Sequence, residues 1–513
     1  MRNKLTDSQI KGVTITDRDL CVVAGPGSGK TRVLVERFAN LVTTHKVSIG
    51  EILTLTFTEK AANEMKVRVS DLFRQKGMEQ ERQEIEFAYL STIHGFCARI
   101  LRENAIEAGI DPQFSVMDEL ESGRLKDQAL EKTLRERTDG KTIDTFLNDI
   151  FWKQTDAKKS RLKSFRDNMI QLYEKIRSAC VPIAETVNVD DLSPGISISS
   201  NRIEELIKEI KDIYSDSKLT PKTREKVEYV LERWNASNMQ KEIEELYGKG
   251  DKPPQRDDLV LALMNRVRAV QSSIVLHVSK DVKKPLAAMR DELKVLIGLL
   301  VEDYSTSIKI MLRDFLVNFD IVYSERKKVE GCIDFTDLEV KAIELLENRE
   351  YIANEIKRKF KYILVDEFQD ISGLQMKIID LIRGKDNLFI VGDAKQSIYG
   401  FRNAAVEIFQ DIQNDIDPGS LISLNENFRS RPQILNLVNH IFNELWPGNS
   451  ACRDSTQQLK PGAEFSDKSL PSIEIIVAEG KDKTDARKWE SMEVAKRIKE
   501  IVDKGEIKIT NRR

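Results

Sequence analysis

A glycine-rich run near the N-terminus carries residue types that bind phosphate. Residues 24–31 read Ala-Gly-Pro-Gly-Ser-Gly-Lys-Thr, the Walker A pattern with alanine in place of its first glycine. Small residues let backbone N–H groups close around phosphate oxygens, while Lys30 can reach the β- and γ-phosphates and Thr31 can ligate Mg²⁺. A predicted buried strand precedes this run, here called the P-loop, and a predicted helix, whose N-terminus favours an anion, follows it. An ordinary glycine-rich turn is the alternative to the nucleotide site that we predict, with binding residues Ala24, Gly25, Pro26, Gly27, Ser28, Gly29, Lys30, Thr31 and Arg32.

An acidic pair supplies the second half of such a site. Asp366 and Glu367 directly follow residues 363–365, an apolar run that predicts another buried strand. At the end of that strand Asp366 would hold Mg²⁺ through water, and Glu367 would orient or deprotonate the attacking water. Alone, such a pair also fits the start of a helix, but together with the P-loop it indicates ATP hydrolysis.

Apolar periodicity indicates which elements position these groups. Buried strands are predicted at residues 20–24, 52–57, 362–366, 388–393, 421–424 and 473–477. A helix is predicted at 31–42, directly after the P-loop. Helical patterns dominate from about residue 103 to 331, with a stripe at positions 203, 206, 207, 210 and 213 and a long helix expected from Pro285 toward Lys328. The sequence therefore predicts an α/β domain that a helical insertion interrupts, followed by a second α/β unit.

Bulk composition narrows the class of protein. A chain of 513 residues exceeds what one hydrophobic core supports, so at least two domains are expected. No apolar run approaches the roughly 18 residues of a membrane span, and the first residues lack a signal-peptide core, so we expect a cytoplasmic protein. The five cysteines are scattered, which argues against zinc, iron–sulfur and disulfide frameworks. A net charge of −3 argues against a protein that coats nucleic acid, but not against a narrow cleft for one strand.

Six blocks of the sequence resemble, in order, those of superfamily 1 DNA helicases of the UvrD/Rep/RecB group. They lie at residues 5–9, 56–65, 91–96, 366–370, 392–402 and 427–430. The wording of the block at 392–402 and the long insertion resemble the RecB/AddA branch, which processes double-strand breaks. The resemblance implies a P-loop NTPase fold, with a RecA-like motor domain, a helical insertion domain and the incomplete N-terminal part of a second RecA-like domain. The corresponding boundaries are 1–105 with 330–415, 106–329, and 416–513.

The resemblance also implies how ATP is used. Gln9 would read adenine, Gln396 would sense the γ-phosphate, and Arg429 would reach it as an arginine finger. A surface salt bridge is the alternative for Arg429. The implied catalytic residues are Lys30, Asp366, Glu367, Gln396 and Arg429, and the implied metal-binding residues are Thr31 and Asp366.

The remaining blocks imply contacts with single-stranded DNA. The rings of Phe57, Tyr399 and Phe401 offer flat faces to bases, each worth roughly 1–3 kcal/mol without sequence preference. Core packing is the alternative for each ring, and a structural hydrogen bond is the alternative for His94. The implied DNA-binding residues are Phe57, Thr58, Lys60, Thr92, His94, Tyr399 and Phe401.

The leading hypothesis is an ATP-driven, Mg²⁺-dependent translocase or helicase that moves 3′→5′ on single-stranded DNA in repair or recombination. Its substrate would be single-stranded DNA or a duplex with a single-stranded 3′ tail, and a nuclease or helicase subunit is the expected partner. Two further blocks of the second motor domain and a nuclease block are not found before Arg513, as a fragment or a split gene would explain. The alternatives are an ATP- or DNA-binding subunit without turnover that regulates a partner, and a P-loop kinase or GTPase.

Overall fold

The computed structural model describes residues 4–136, 158–179, 181–186, 193–215, 219–235, 241–243, 246, 256–274, 278, 280–400, 403–445, 458–463 and 473–504. The chain forms two units. The sheet unit comprises Met1–Asp118 and Gly331–Arg513, and the helical unit comprises Glu119–Glu330. All the predicted site residues belong to the sheet unit. The domain boundaries drawn from the sequence stay a prediction.

The strands of the sheet unit form one large sheet and two short pairs. They are β1 (Leu20–Ala24), β2 (Ile52–Thr56), β3 (Tyr89–Thr92), β4 (Ser115–Val116), β5 (Cys332–Ile333), β6 (Tyr362–Val365), β7 (Leu388–Gly392), β8 (Leu421–Leu424), β9 (Glu426–Asn427) and β10 (Lys460–Pro461). The large sheet has the order β3-β2-β6-β7-β1-β8, and each neighbouring pair is parallel. β4 pairs with β5, and β9 with β10. The predicted α/β class with a parallel sheet is confirmed.

The helices before, within and after the helical unit follow the same chain order. The first five are α1 (Asp7–Thr14), α2 (Lys30–Thr43), α3 (Glu59–Gln75), α4 (Glu79–Glu84) and α5 (Ile93–Glu103). The helical unit contains α6 (Glu119–Glu136), α7 (Lys158–Ser178), α8 (Ser193–Ser215), α9 (Pro221–Asn235), α10 (Arg256–Ser273) and α11 (Lys280–Glu330). The sheet unit continues with α12 (Phe335–Asn348), α13 (Glu350–Lys359), α14 (Gly373–Ile382), α15 (Val406–Asp415), α16 (Pro432–Leu445) and α17 (Lys483–Lys504).

The parallel arrangement brings the chemistry-bearing segments to one edge of the sheet. β1, β2 and β7 are buried along their whole length, as expected for parallel strands covered on both faces. The P-loop follows the carboxyl end of β1, and the acidic pair follows the carboxyl end of β6. Ligands of open parallel sheets bind at this edge.

A buried arginine fixes α1 against α2. The Arg37 side chain is 2% exposed, and its Nη1 donates to the carbonyl oxygens of Gly12 at 2.9 Å and Ile15 at 2.6 Å. Its guanidinium lies 4.5 Å from the ring centroid of Phe389. Burial lowers the pKa of Arg37 to about 10. The helix that carries Gln9 is therefore held on the helix that follows the P-loop.

Two expectations about the later strands need revision. β8 pairs with β1, so the first sheet extends beyond residue 415, where the sequence placed the domain boundary. Residues 473–477 form no strand, and Ile475 and Val477 are each 81% exposed. A strand requires a hydrogen-bonded neighbour, and the described residues supply none for this segment. The predicted last helix is present as α17.

The helical unit has a hydrophobic core of its own. The stripe predicted on α8 is confirmed, because Ile203, Ile207 and Ile210 are fully buried while Leu206 and Ile213 pack beside them.

The long helix of this unit was expected to follow Pro285, but α11 begins five residues earlier, at Lys280. Buried side chains on both sides of this proline, Val282 and Leu286 among them, keep it within the helix. Their packing outweighs the roughly 3 kcal/mol that an interior proline costs.

The structure bears on two further expectations from composition. Among the described residues, no helix combines the length and apolar content that a membrane crossing needs. Cys21, Cys97 and Cys332 are buried and take part in no disulfide among the described residues, while Cys180 and Cys452 lie outside them.

Candidate nucleotide-binding site

Two glycines with left-handed backbone shape the P-loop. Gly27 has φ +72° and Gly29 has φ +92°, conformations that side chains rarely adopt. Ser28 closes the turn, because its N–H and Oγ both donate to the carbonyl oxygen of Gly25, at 3.2 and 2.7 Å. Gly29 caps α2, and the first turn of α2 contains no acidic side chain. The loop thus presents the N-terminus of a helix to an anion.

The P-loop lysine meets the acidic pair. Lys30 Nζ lies 2.8 Å from Glu367 Oε2, although the two residues are 337 positions apart in sequence. The Lys30 side chain is 11% exposed and the Glu367 side chain is 36% exposed. Glu367 adopts the left-handed conformation, with φ +47°. This contact joins the two halves of the predicted ATP site.

Asp366 lies beside this ion pair in a buried position. Burial and the neighbouring charge of Glu367 raise the pKa of Asp366 to about 6, while Lys30 and the backbone N–H of Glu367 act in the opposite direction. That N–H donates to Asp366 Oδ1 at 3.0 Å. A cation near Asp366 would restore the carboxylate form.

The donor groups present fit Mg²⁺ better than a preformed metal cage. Among the described residues, no cluster of three or more histidine, cysteine or acidic side chains is arranged to hold a metal ion. Mg²⁺ typically takes one or two protein oxygens and completes its shell with water and nucleotide phosphates. The hydroxyl of Thr31, on the first turn of α2, and the carboxylate of Asp366 are the oxygens that would serve, so the ion would arrive with the nucleotide.

A cavity of about 310 Å³ opens beside the P-loop at Gln9. The Gln9 side chain is 1% exposed, and its Nε2 donates to the carbonyl oxygen of Ser28 at 2.9 Å. Its Oε1 accepts from the backbone N–H of Thr6 at 3.1 Å, which caps α1. The adenine-reading role of Gln9 stays a prediction, and these bonds place its amide between the P-loop and the cavity.

Two residues that the sequence did not single out also line this cavity. They are Phe428 and Lys460. Phe428 belongs to the block at 427–430, so its position beside Arg429 was the available signal. Lys460 follows an irregular segment, and no pattern identified it.

The block at 427–430 lies directly against the P-loop. Asn427 Nδ2 donates to the carbonyl oxygen of Pro26 at 2.5 Å, and the Phe428 N–H donates to that of Gly27 at 2.9 Å. A Cβ on Gly27 would lie 2.8 Å from Arg429 Cβ. Arg429 is therefore a neighbour of the P-loop. Within the described residues Arg429 forms no ion pair, so the alternative of a surface salt bridge gains no support.

Gln396 belongs to a second hydrogen-bonded group at the end of β7. Its Nε2 donates to Asp393 Oδ2 at 2.7 Å. The Asp393 N–H in turn donates to Gln369 Oε1 at 2.9 Å, and Gln369 Nε2 donates to Glu367 Oε2 at 2.9 Å. The structure thus connects Gln396 to the acidic pair through Gln369, a residue that the sequence analysis did not select.

Two of the predicted base-stacking rings lie together. The ring centroids of Phe57 and Tyr399 are 4.7 Å apart, with an angle of 34° between the ring planes. Both residues follow strands of the large sheet, β2 and β7, at the same edge as the P-loop. Phe401, the third predicted ring, lies outside the described residues.

The polar residues of the predicted DNA site hold helix starts and a buried carboxylate. The Thr58 side chain caps α3, and the Thr92 side chain caps α5 while it donates to Glu59 Oε1 at 2.6 Å. His94 Nε2 lies 3.1 Å from Glu339 Oε1, as its structural alternative predicts. Lys60 is exposed on the first turn of α3. DNA contact by these four residues stays a prediction.

Comparison with known proteins identifies relatives of the chain. Residues 5–417 match the family described as UvrD-helicase, the UvrD/REP helicase N-terminal domain. Proteins named as the first lettered subunit of an ATP-dependent helicase/nuclease, from Syntrophomonas wolfei, Natranaerobius thermophilus and Alkaliphilus oremlandii, are 30%, 30% and 29% identical over 86%, 90% and 97% of this chain. The matches cover 38%, 39% and 45% of those proteins. The chain therefore spans about two fifths of the length of these curated relatives.

Proposed function

Because the chain belongs to the UvrD/REP helicase family, we propose that it binds Mg·ATP at the P-loop and forms the ATP-hydrolysing motor part of a DNA helicase acting in repair or recombination. The observation that carries this proposal is the 2.8 Å contact between Lys30 Nζ and Glu367 Oε2. It brings together the phosphate-binding lysine and the carboxylate suited to activate water, at the edge where parallel sheets bind ligands.

The residues of the site have distinct tasks in this proposal. Lys30 leaves Glu367 and binds the β- and γ-phosphates, which leaves Glu367 free to accept a proton from the attacking water. Thr31 and Asp366 would hold Mg²⁺, which neutralises charge on the phosphates. Arg429 extends toward the γ-phosphate from its position beside Gly27.

The base of the nucleotide would enter the cavity beside Gln9. The Phe428 ring offers a flat apolar surface there, and the Gln9 amide offers a hydrogen-bonding edge suited to adenine. The Lys460 ammonium at the rim would favour the negatively charged nucleotide.

Movement is proposed to run 3′→5′ along single-stranded DNA, entered from a single-stranded 3′ tail. Support comes from the Phe57 and Tyr399 rings, which lie at the ATP-binding edge of the sheet and can stack on any base. Thr58, Lys60, Thr92 and His94 are proposed to contact the DNA backbone. The polarity follows from the resemblance to the UvrD/Rep/RecB group.

A partner protein is also part of the proposal. The relatives are named as one subunit of a helicase/nuclease, which describes a component of a larger assembly with nuclease activity. A nuclease or helicase subunit is the partner class that this supports.

The test is a titration followed by a turnover assay. Binding of a fluorescent ATP analogue with Mg²⁺ is measured for the chain, for Lys30→Ala, and for Lys385→Ala as a control. Lys385 precedes β7, at the opposite edge of the sheet, and its side chain is 92% exposed. We expect binding by the chain and by the control, and a loss of at least about tenfold in Lys30→Ala, the equivalent of 1.4 kcal/mol.

Turnover is then measured with and without oligo(dT). Stimulation by the oligonucleotide supports the motor. Tight Mg·ATP binding without turnover in either condition would favour the alternative of a subunit that binds ATP and DNA to regulate a partner. Equal binding by the chain and Lys30→Ala would reject the nucleotide site itself.

A further inference from the structure

The Gln369 side chain occupies a buried position between two strand ends of the site. It is 2% exposed and follows β6 in the short turn Phe368–Asp370. Its Nε2 donates to Glu367 Oε2 at 2.9 Å and to Asp370 Oδ2 at 3.2 Å. Its Oε1 accepts from the backbone N–H of Asp393 at 2.9 Å. Both ends of one amide are thus engaged, one on the acidic pair and the other on the end of β7.

The side of β7 is built around this amide. A Cβ on Gly392 would lie 2.6 Å from Gln369 Oε1, so only glycine admits the contact. Asp393 accepts from Gln396 Nε2 at 2.7 Å and from the Lys395 N–H at 3.0 Å. Ser397 Oγ donates to the Gln369 carbonyl oxygen at 3.2 Å. Gln369 therefore contacts residues 393–400, here called the coupling segment, at two points.

Only a primary amide satisfies both partners. Glu367 needs a donor, because its carboxylate accepts, and the Asp393 N–H needs an acceptor. A carboxylate at position 369 would oppose Glu367, and an apolar side chain would leave both groups without a partner. In a buried position water does not replace the lost bonds, so each lost bond has a large effect.

Glu367 Oε2 is shared between two donors, which makes this amide sensitive to the nucleotide. Lys30 Nζ lies 2.8 Å from that oxygen, and Gln369 Nε2 lies 2.9 Å from it. When phosphates draw Lys30 away, Gln369 becomes the remaining donor to the carboxylate. A shift of the carboxylate then moves the amide, and through it Asp393 and the coupling segment.

We propose that Gln369 is a positioning residue that transmits occupancy of the nucleotide site to the coupling segment, and so to Tyr399. The inference rests on the proposed function. It assigns to one buried amide the link between ATP binding and the affinity for single-stranded DNA. Gln369 touches neither ligand in this role and acts through Glu367 and Asp393.

The experiment measures coupling by binding alone, so it does not depend on turnover. The dissociation constant of labelled oligo(dT) is measured with and without a saturating, non-hydrolysable Mg·ATP analogue. The ratio of the two constants is the coupling factor, which typically lies in the range of about 5–150 for linked sites. The variants are Gln369→Met, which removes both hydrogen bonds at similar volume, and Gln369→Glu, which removes the donor.

For the chain we expect a coupling factor of at least about 5, and for both variants a factor within about twofold of unity. Each ligand alone should bind the variants within about threefold of its affinity for the chain, because neither ligand contacts residue 369. Gln80→Met is the matched control. Gln80 is an exposed glutamine that bonds Glu84 on α4, and its variant should keep full coupling.

Hydrogen exchange supplies a second readout that needs no variant. Binding of the Mg·ATP analogue to the chain should change the exchange rate of backbone amides in the coupling segment, the Asp393 N–H above all. This measurement decides the question if Gln369→Met fails to fold. Unchanged exchange there, or full coupling in a folded Gln369 variant, would overturn the inference. Failure of the unaltered chain to bind either ligand would instead refute the proposed function, and the inference with it.

Discussion

Replacement of Glu367 by glutamine is expected to tighten Mg·ATP binding while it removes hydrolysis. Without nucleotide, Lys30 is bound to Glu367 at 2.8 Å, and it must leave this partner to reach phosphate. The free energy of that ion pair therefore opposes nucleotide binding. Glutamine keeps the size of the side chain but loses the charge, so the opposing free energy falls.

The size of the effect follows from burial of the pair. Lys30 is 11% exposed and Glu367 is 36% exposed, so the pair lies between a surface and a buried ion pair. Exposed pairs contribute about 0.2–1 kcal/mol, and hydrogen bonds to charged groups contribute about 1.5–3 kcal/mol. An intermediate value of about 1–2 kcal/mol corresponds to roughly 5–30-fold tighter binding. Loss of the group that activates water should lower turnover by about 10²–10⁴-fold.

Isothermal titration with Mg·ATP, and with Mg·ADP for comparison, measures the change. The ADP gain should be smaller, because the γ-phosphate contact of Lys30 is missing. Glu79→Gln is the control, since Glu79 pairs with Arg82 on the exposed helix α4. Unchanged or weaker ATP binding by Glu367→Gln would refute the conclusion that Lys30 exchanges Glu367 for phosphate.

Other predictions concern stability and the shape of the P-loop. Burial and the charge of Glu367 raise the pKa of Asp370 from 3.8 to about 6, so its contribution to stability is present below about pH 4 and is lost as pH rises through 6. Asp370→Asn should therefore be more stable than the chain at pH 8 by about 1–3 kcal/mol in urea unfolding, and equally stable near pH 4. Arg37→Met should lower the free energy of unfolding by about 2–4 kcal/mol, because two carbonyl oxygens lose a charged donor, and thermal unfolding measures this. Gly27→Ala should weaken ATP binding at least about tenfold in the same titration, because φ +72° and a 2.8 Å contact with Arg429 Cβ reject a side chain.

Local patterns in the sequence predicted the nucleotide site because its parts are short. The P-loop and the acidic pair each follow an apolar run, and the carboxyl ends of parallel strands meet at one edge. This rule placed Lys30 near Glu367 without any knowledge of the intervening insertion. The resemblance to the UvrD/Rep/RecB group is confirmed by the family match over residues 5–417, and relatives named as part of a helicase/nuclease agree with its RecB/AddA branch.

Contacts between side chains from distant segments were beyond the sequence. Gln369 lay inside a recognised block, but its bond to the Asp393 N–H depends on how closely β6 and β7 approach. His94 was selected for its block, and its partner Glu339 comes from α12, far along the chain. Strand pairing was equally hidden, since nothing in residues 421–424 distinguishes an edge strand of the first sheet from a first strand of the next.

A crystal structure of the chain with a non-hydrolysable Mg·ATP analogue would show whether the nucleotide displaces Lys30 from Glu367. We predict triphosphate on the P-loop, Lys30 Nζ within hydrogen-bond distance of phosphate oxygens and no longer at 2.8 Å from Glu367 Oε2, and the metal between Thr31 and the side of Asp366. A nucleotide bound elsewhere, or one on the P-loop with Lys30 still paired to Glu367, would contradict the proposed ATP site.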